Sequence, residues 1–513
     1  MNFVLLSLIL SINKSVASSS NVPGSGLISD RYIVPLRNRV DFISVEIEIG
    51  SPAQRMELLL DTGSSVTWVI SKDNPNCKNS IDKSDSQSLV DTSVMIPKGY
   101  IDCESTGTFN STLSETYNGT IISERLSLTY LDTTSVKGNW AVDHFNIPLV
   151  EASESFSLAS SDFEIGIGTE TNSTVGILGL GIPPFTFNKK KNSIKYNKET
   201  IITNLRSNKV VERSVFSIYL NDRNGSGAEG ELLIGHIDEA KFQAPLYTIK
   251  FINSMKIGGP IERFEIPVTD ISISTPSRHN SSESIDSGLY DRTASFKDSY
   301  IPALLDTGSK FTYLPFELFH TLKDYLMLNY RVRGEINEHL VVPCTEVDQL
   351  DDVSFGIKIN DITFHIPMRA FLERHPQNIT ELYRYDQSRN LCLLGLLPKV
   401  SSQIILGQAF FRSLYTVFDL DMMEVSIAPA RYSTKRSIKE VNIRNGVGGV
   451  NVESIAEGAA DAIVLDPKDD FIADTRDGFY KYQNGIEKDS PVWFSLGSVL
   501  VYLFSVSYLL EVL

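Results

Sequence analysis

Cysteine is scarce in this chain: Cys77, Cys103, Cys344 and Cys392 are the only four in 513 residues. None has Cys-x-x-Cys spacing, so a zinc knuckle or a dithiol redox centre is not expected. Histidine is nearly as rare, with seven residues scattered without ligand spacing. There is no His-Glu-x-x-His helix, no Gly-x-Ser-x-Gly elbow and no Walker loop. Gly179-Leu180-Gly181 is not a dinucleotide loop, because Pro183-Pro184 blocks the helix start such a loop requires. Neither a metal nor a cofactor is therefore expected. Basic residues are outnumbered 47 to 63, and the formal charge of −16 makes nucleic acid an unsuitable partner. The same charge is compatible with attraction to basic peptides. The remaining composition, 42% apolar and 21% charged, is that of a globular protein.

Both ends of the chain are unusual. Residues 3–12 form a short apolar run followed by Ser15-Val16-Ala17, which reads as a secretory signal peptide over residues 1–17, although no Lys or Arg precedes the run. Residues 491–513 are overwhelmingly apolar and no basic cluster follows them. Asn484-Gly485, a short polar spacer and this tail fit a GPI-attachment signal, with Asn484 as the attachment residue, better than a plain membrane anchor. Six Asn-x-Ser/Thr sites, at Asn110, Asn118, Asn172, Asn224, Asn280 and Asn378, agree with passage through a glycosylating pathway. In that compartment an even number of cysteines suggests two disulfides, with three connectivities open.

Between the ends the chain reads as mostly β. Runs such as Ser44–Ile49, Arg55–Leu60, Val215–Leu220 and Val417–Ile427 are rich in Val, Ile, Leu, Tyr and Phe and are punctuated by Gly, Pro, Asn and Asp. Helices are expected over Phe316–Leu328, introduced by Pro315, and over Thr200–Val211. Polar insertions cover 71–101 and 276–298, and Lys189-Lys190-Lys191 reads as a hydrophilic loop. The spacing divides the chain into a short N-terminal segment (18–40), two lobes (41–240 and 241–430) and a stalk or removable tail (431–490). Lys435-Arg436 in that tail is a candidate processing site.

The lobes are inferred from an internal repeat. Leu59-Leu60-Asp61-Thr62-Gly63-Ser64 recurs, residue for residue, as Leu304-Leu305-Asp306-Thr307-Gly308-Ser309. A second shared element, Ile177-Leu178-Gly179 and Ile405-Leu406-Gly407, follows each Asp after 116 and 99 residues. Such a duplication implies two similar lobes that meet across a pseudo-twofold axis. Each apolar strand delivers an Asp to the end of a rigid element, where Gly permits a tight turn and the hydroxyls can hydrogen-bond the acid. Two such carboxyls face to face cannot both ionise easily, so they share a proton. The ionised one can deprotonate a water while the protonated one donates to a carbonyl oxygen, which is general acid–base hydrolysis of an amide.

On these segments the chain resembles the pepsin-like aspartic proteases, and among them the fungal yapsin group, over about residues 41–430. FISVEIEIGSPAQ, LLLDTGSSVTWV, ILGLGIP, ALLDTGSKFTYLP and IILGQAFFRSLYTVFDLD carry the resemblance. It implies a mostly β, bilobal pepsin-like fold with pseudo-twofold related lobes and few short helices. It makes Asp61 and Asp306 the catalytic pair, with Thr62 and Thr307 bonded across the lobes beneath them. Ser64 and Ser309, beside Gly63 and Gly308, would support the carboxylates. Tyr130 fits the flap tyrosine, Trp68 its supporting tryptophan, and Asp132 the flap tip. Pairing of Cys77 with Cys103 and of Cys344 with Cys392 is likewise implied. So are protein or peptide substrates cut beside Lys or Arg, with Asp132 either binding the basic side chain or only capping the hairpin turn. A monomer at the outer face of the plasma membrane or in the cell wall is expected.

Three positions depart from the family pattern. Leu131 and Thr133 stand where glycine is common, which would stiffen the hairpin, and Lys310 stands where a hydroxyl is usual. A cation there is expected to lower the acid range of the pair or to discourage basic side chains. These departures motivate a second reading, a catalytically silent peptide-binding protein on the same scaffold. Only some two dozen residues separate Ala17 from Asp41, too few for a long inhibitory pro-segment.

Overall fold

The computed structural model describes residues 32–452, except 40–41, 78–100, 121–123, 131, 150–157, 189–192, 197, 221–229, 255–259, 275–299, 331, 333–334, 337–338, 374–390 and 442–445. The expected signal peptide, the GPI-type tail with Asn484, Leu131, the lysine triplet, and Asn224, Asn280 and Asn378 lie outside the described residues.

The fold is mostly β, as the punctuated apolar runs require. Its spine is a fourteen-stranded sheet that crosses from one half of the chain to the other where Val215–Leu220 pairs antiparallel with Leu414–Asp419. Phe216 and Phe418 face each other in that register, with ring centroids 4.8 Å apart and planes within 13°. Burying such aromatic pairs from both halves contributes about 1.5–3 kcal/mol per side chain, so the halves share one core.

On either side of this junction the repeat is reproduced in strand pairing. In the first half Gln54–Asp61 runs parallel to Gly176–Gly179, with Leu59 opposite Ile177. In the second, Ile301–Leu305 runs parallel to Ile404–Leu406, with Leu304 opposite Ile405. Seven residues after each Asp, Trp68 and Tyr313 pair antiparallel with the same Ile177 and Ile405. Strands covered on both faces must be apolar throughout; this explains why the Leu-Leu and Ile-Leu runs lack alternation and why both copies fold alike.

The expected elements mostly appear, with two differences. The helix announced by Pro315 spans Phe316–Tyr330 and buries Leu318, Phe319, Leu322, Leu326 and Tyr330 along one face. The helix expected over Thr200–Val211 is shorter, Ile201–Ser207, capped by the Thr200 side chain. Val417–Ile427 is not one strand. It is the hairpin Leu414–Asp419 and Glu424–Pro429, because Asp419 Oδ1 accepts the backbone N–H of Asp421 and of Met422, both at 3.0 Å, and turns the chain. Among the described residues no helix is long and apolar enough to cross a membrane.

Parts of the segments read as a short N-terminal segment and a stalk contribute to the body. Ile33–Asn38 lies in the main sheet between Gly230–Ile234 and Ile43–Ile49. Beyond Pro429 the chain does not leave the surface at once. Ile438–Glu440 pairs with His236–Asp238, Val441 is buried, and Val450–Asn451 adds a parallel strand beside Tyr247–Lys250. Arg436, half of the candidate processing pair, lies 2.6 Å from Glu231 and 3.8 Å from Asp238. Ser437 donates its N–H to Asp238 Oδ1 at 2.7 Å. Composition missed this strap because its partners come from residues some two hundred positions earlier.

Candidate active site

The two Asp-Thr-Gly-Ser turns sit at the ends of matched buried strands and are joined beneath by four buried hydrogen bonds. Thr62 donates its N–H to Thr307 Oγ1 (3.0 Å) and its hydroxyl to the Leu305 carbonyl (2.8 Å). Thr307 returns both contacts, its N–H to Thr62 Oγ1 (2.9 Å) and its hydroxyl to the Leu60 carbonyl (2.7 Å). Thr62 is 1% and Thr307 0% exposed, so water cannot replace these bonds, and breaking one leaves a buried polar group unpaired.

The turns place each carboxylate against the other half. A Cβ on Gly63 would stand 2.7 Å from Asp306 Cγ, and one on Gly308 would stand 2.8 Å from Asp61 Oδ1. Neither glycine is among those with positive φ. What requires glycine is this close approach, not the tight turn that the sequence suggested.

The supporting donors are similar but not equal. Asp61 Oδ1 accepts the Gly63 N–H at 2.8 Å, and Oδ2 accepts the Ser64 hydroxyl at 2.5 Å. Asp306 Oδ1 accepts two N–H groups, from Gly308 at 2.9 Å and Ser309 at 3.3 Å, while Oδ2 accepts the Ser309 hydroxyl at 2.7 Å. Burial pushes both carboxyls above the usual range, and for Asp61 the charge of Asp306 adds to it. A hydrogen bond between the two side chains raises Asp61 and lowers Asp306. The extra backbone donor favours the ionised form at Asp306.

A hairpin of Arg125–Thr129 and Ser135–Ile147 brings Tyr130 near the pair, where the charge of Asp61 acts on its hydroxyl. At its tip Tyr130 donates its N–H to the Thr134 carbonyl at 2.7 Å. The Tyr130 hydroxyl accepts the indole N–H of fully buried Trp68 at 3.0 Å. Burial, then the charge of Asp61, pushes the phenol well above its ordinary value, so it stays protonated. Trp68 is thus both a core aromatic and the support of Tyr130. Asp132 is exposed and accepts from Thr134, at 2.9 Å from the N–H and 2.9 Å from the hydroxyl. Those are the turn-capping contacts, and its charge also reaches Tyr130 and Tyr313.

Directly after the second motif, Lys310 is held in an ion pair. Its ammonium lies 2.7 Å from Glu373 and over the Phe311 ring, where the ion pair satisfies the charge. The two disulfides are Cys77–Cys103 and Cys344–Cys392. Of the three described glycosylation candidates, Asn118 is exposed, while Asn110 and Asn172 are half-buried.

The sequence reading passed over two residues near the pair. Tyr313, pushed up by burial and then by Asp132 and Asp306, is the second-half counterpart of Trp68 and could have been found from the shared seven-residue spacing. Lys399, lowered by burial and then by Arg263, lies within the field of Asp306 and carries no sequence signal of its own.

A duplicated β scaffold holding two carboxyls in mutual contact defines a pepsin-like class of acid–base hydrolase. The family model for eukaryotic aspartyl protease matches residues 43–430, and the chain belongs to that family. The chain is 28% identical over 444 residues to aspartic proteinase MKC7 of Saccharomyces cerevisiae, covering 79% of this chain and 68% of the relative. To aspartic proteinase yapsin-3 of the same yeast it is 29% identical over 420 residues, covering 79% and 69%. To secreted aspartic protease 7 of Candida albicans it is 26% identical over 422 residues, covering 79% and 63%. It is an aspartic endopeptidase, similar to yeast relatives that include a yapsin.

Proposed function

We propose that the chain is a secreted, cell-surface enzyme that cuts protein precursors or cell-wall proteins beside Lys or Arg, with Asp61 and Asp306 as the catalytic pair. The observation that carries the catalytic assignment is the reciprocal bonding of Thr62 and Thr307, which holds the two carboxyls together before substrate arrives. In this reading Asp306, with the extra N–H donor, takes a proton from a bound water as that water attacks the scissile carbonyl carbon. Asp61 gives its proton to the carbonyl oxygen. The proton on Asp306 then passes to the leaving nitrogen as the C–N bond breaks, and one hydroxyl of the tetrahedral intermediate returns its proton to Asp61 as the new carbonyl forms. Peptide plus water thus becomes acid plus amine and the pair is restored. Tyr130 and Trp68 hold the hairpin above, where it would exclude bulk water.

The basic preference is supported by Asp132, whose exposed carboxylate is oriented by Thr134 at the hairpin tip, and by the acidic charge of the whole chain. Turn-capping and substrate pairing are compatible, because a carboxylate accepting two bonds retains its charge. Cell-surface placement is supported by the apolar ends, the Asn484-Gly485 site, and likeness to relatives named yapsin and secreted aspartic protease. The proposed order is signal peptide (1–17), N-terminal segment (18–40), lobes (41–240 and 241–430), a linker (431–490) whose first part is the strap paired back onto the body, and GPI signal (491–513) of a glycosylated monomer.

One experiment tests the reading: cleavage-site profiles of the purified ectodomain on peptide libraries from acid to neutral pH. The expected outcome is cleavage beside Lys or Arg that disappears in Asp61→Asn and loses its basic bias in Asp132→Asn. Turnover that survives Asp61→Asn would overturn the catalytic assignment. A wild type and an Asp132→Asn variant sharing the same lack of basic preference would overturn the specificity. Release of the surface protein by a phosphatidylinositol-specific phospholipase checks the anchor, and retention after that treatment would reject it.

A further inference from the structure

The hairpin near the carboxyl pair has a strained tip. Thr133 has φ of 70°, the left-handed region that a β-branched side chain rarely enters. Some interaction must hold it there, and part comes from Asp132 through its two bonds to Thr134. The other part comes from outside the hairpin. Asn172, just past the end of strand Leu158–Thr171, donates from Nδ2 to the Thr133 carbonyl at 3.1 Å. Its Oδ1 accepts the N–H of Ser135, the first residue of the returning strand, at 2.7 Å. One side-chain amide therefore clamps the strained residue and the strand that follows it.

The clamp is itself mounted on rigid structure. Thr171, 1% exposed, donates its hydroxyl to the Ser135 carbonyl at 2.7 Å. Its own carbonyl accepts Asn76 Nδ2 at 2.9 Å, one residue before the Cys77–Cys103 bridge. The hairpin tip is thus tied, through Asn172, to a turn closed by a disulfide. Asn172 also begins the sequence Asn172-Ser173-Thr174, an acceptor for N-linked glycan. The nitrogen that would carry the glycan is the nitrogen that bonds the hairpin.

We propose that Asn172 is a positioning residue that holds the hairpin tip, through Thr133 and Ser135, in the form that covers substrate. The proposal rests on the endopeptidase reading for its kinetic consequence but not for its structural one. An enzyme whose covering form is only partly populated binds substrate more weakly by that fraction, while the chemical step within the complex is unchanged. Losing Asn172 should therefore raise KM and leave kcat nearly constant.

The test compares three variants of the secreted ectodomain. Asn172→Ala removes amide and acceptor site; Thr174→Ala removes only the acceptor site; Thr133→Gly relieves the strain at the tip. Amide hydrogen exchange over residues 132–135 and peptide-cleavage kinetics are measured on each. In Asn172→Ala, exchange at the tip accelerates and KM rises about 5–50-fold, the weight of two hydrogen bonds, while strand Leu158–Thr171 stays protected. Thr174→Ala retains wild-type values for both. In the Thr133→Gly background, adding Asn172→Ala raises tip exchange by a smaller factor, because glycine needs no clamp to stay left-handed. Three outcomes would overturn the proposal: tip exchange in Asn172→Ala equal to that of Thr174→Ala, faster exchange along the whole of Leu158–Thr171, or an undiminished effect beside glycine. A wild type that cleaves nothing would sink the enzymatic reading, and the exchange data would still decide the role of Asn172.

Discussion

The two copies of the Leu-Leu-Asp-Thr-Gly-Ser hexapeptide are identical in sequence and paired in the same register, yet their surroundings differ. Asp61 accepts one backbone N–H and Asp306 accepts two. Seven residues on, the first copy places Trp68 under a tyrosine of the hairpin, while the second places Tyr313. Directly after the motif the first has Ser65 and the second has Lys310, bound to Glu373. Duplication thus supplies the shared core of the site, while the Ser309 N–H inside the second motif favours charge on Asp306 and the neighbours beyond each motif differ.

The strongest way to break this comparison is to remove one carboxyl at a time. Asp61→Asn and Asp306→Asn should each lower kcat by about 10³-fold or more, because general acid–base catalysis alone contributes roughly 10²–10⁴-fold; single-turnover peptide cleavage measures it. If one variant keeps substantial activity, the halves do not act as a pair. Next come the threonines. Thr62→Val and Thr307→Val each strand buried donors and acceptors across the lobes. Each should reduce stability by about 2–4 kcal/mol, equally in the two halves, as read by denaturant unfolding. Unequal losses would show that the reciprocal bonds are not equivalent.

A pH series sharpens the comparison further. Both carboxyls are raised in the folded state, chiefly by burial. Their contribution to stability is fully present below the unfolded-state value, about 3.9, and is lost as pH rises through the raised native value. The wild-type melting temperature should therefore decline from acid toward neutral pH. Asp61→Asn should flatten that decline and melt several degrees higher at pH 7, about 2–4 °C for each kcal/mol relieved. The smallest effect belongs to Lys310. Because Glu373 already pairs with it, Lys310→Met should leave the pH profile of cleavage in place and change stability by less than about 1 kcal/mol. A displaced profile would restore the lysine's influence on the acids.

Much of the scaffold was legible because its signals are local. Apolar runs without alternation marked the covered strands, Pro315 marked the long helix, and the hexapeptide marked both turns. What escaped depended on partners far along the chain. The strap after Pro429 is held by His236–Asp238 and Glu231, so its own polar composition suggested a stalk. The partner of Lys310 is Glu373, more than sixty positions later. The split of Val417–Ile427 was signalled by Asp419 and Asp421, yet the surrounding apolar residues masked that turn.

The repeated hexapeptide was enough to predict two lobes and two acids in contact, since an exact duplication folds into equivalent strands and the family fixes how they meet. Only the tertiary structure decided which acid has the additional donor and why the motif glycines carry no side chain. It also decided which distant asparagine steadies the hairpin tip. Those answers depend on a few ångströms between residues dozens or hundreds of positions apart, a distance that local spacing along a chain does not encode.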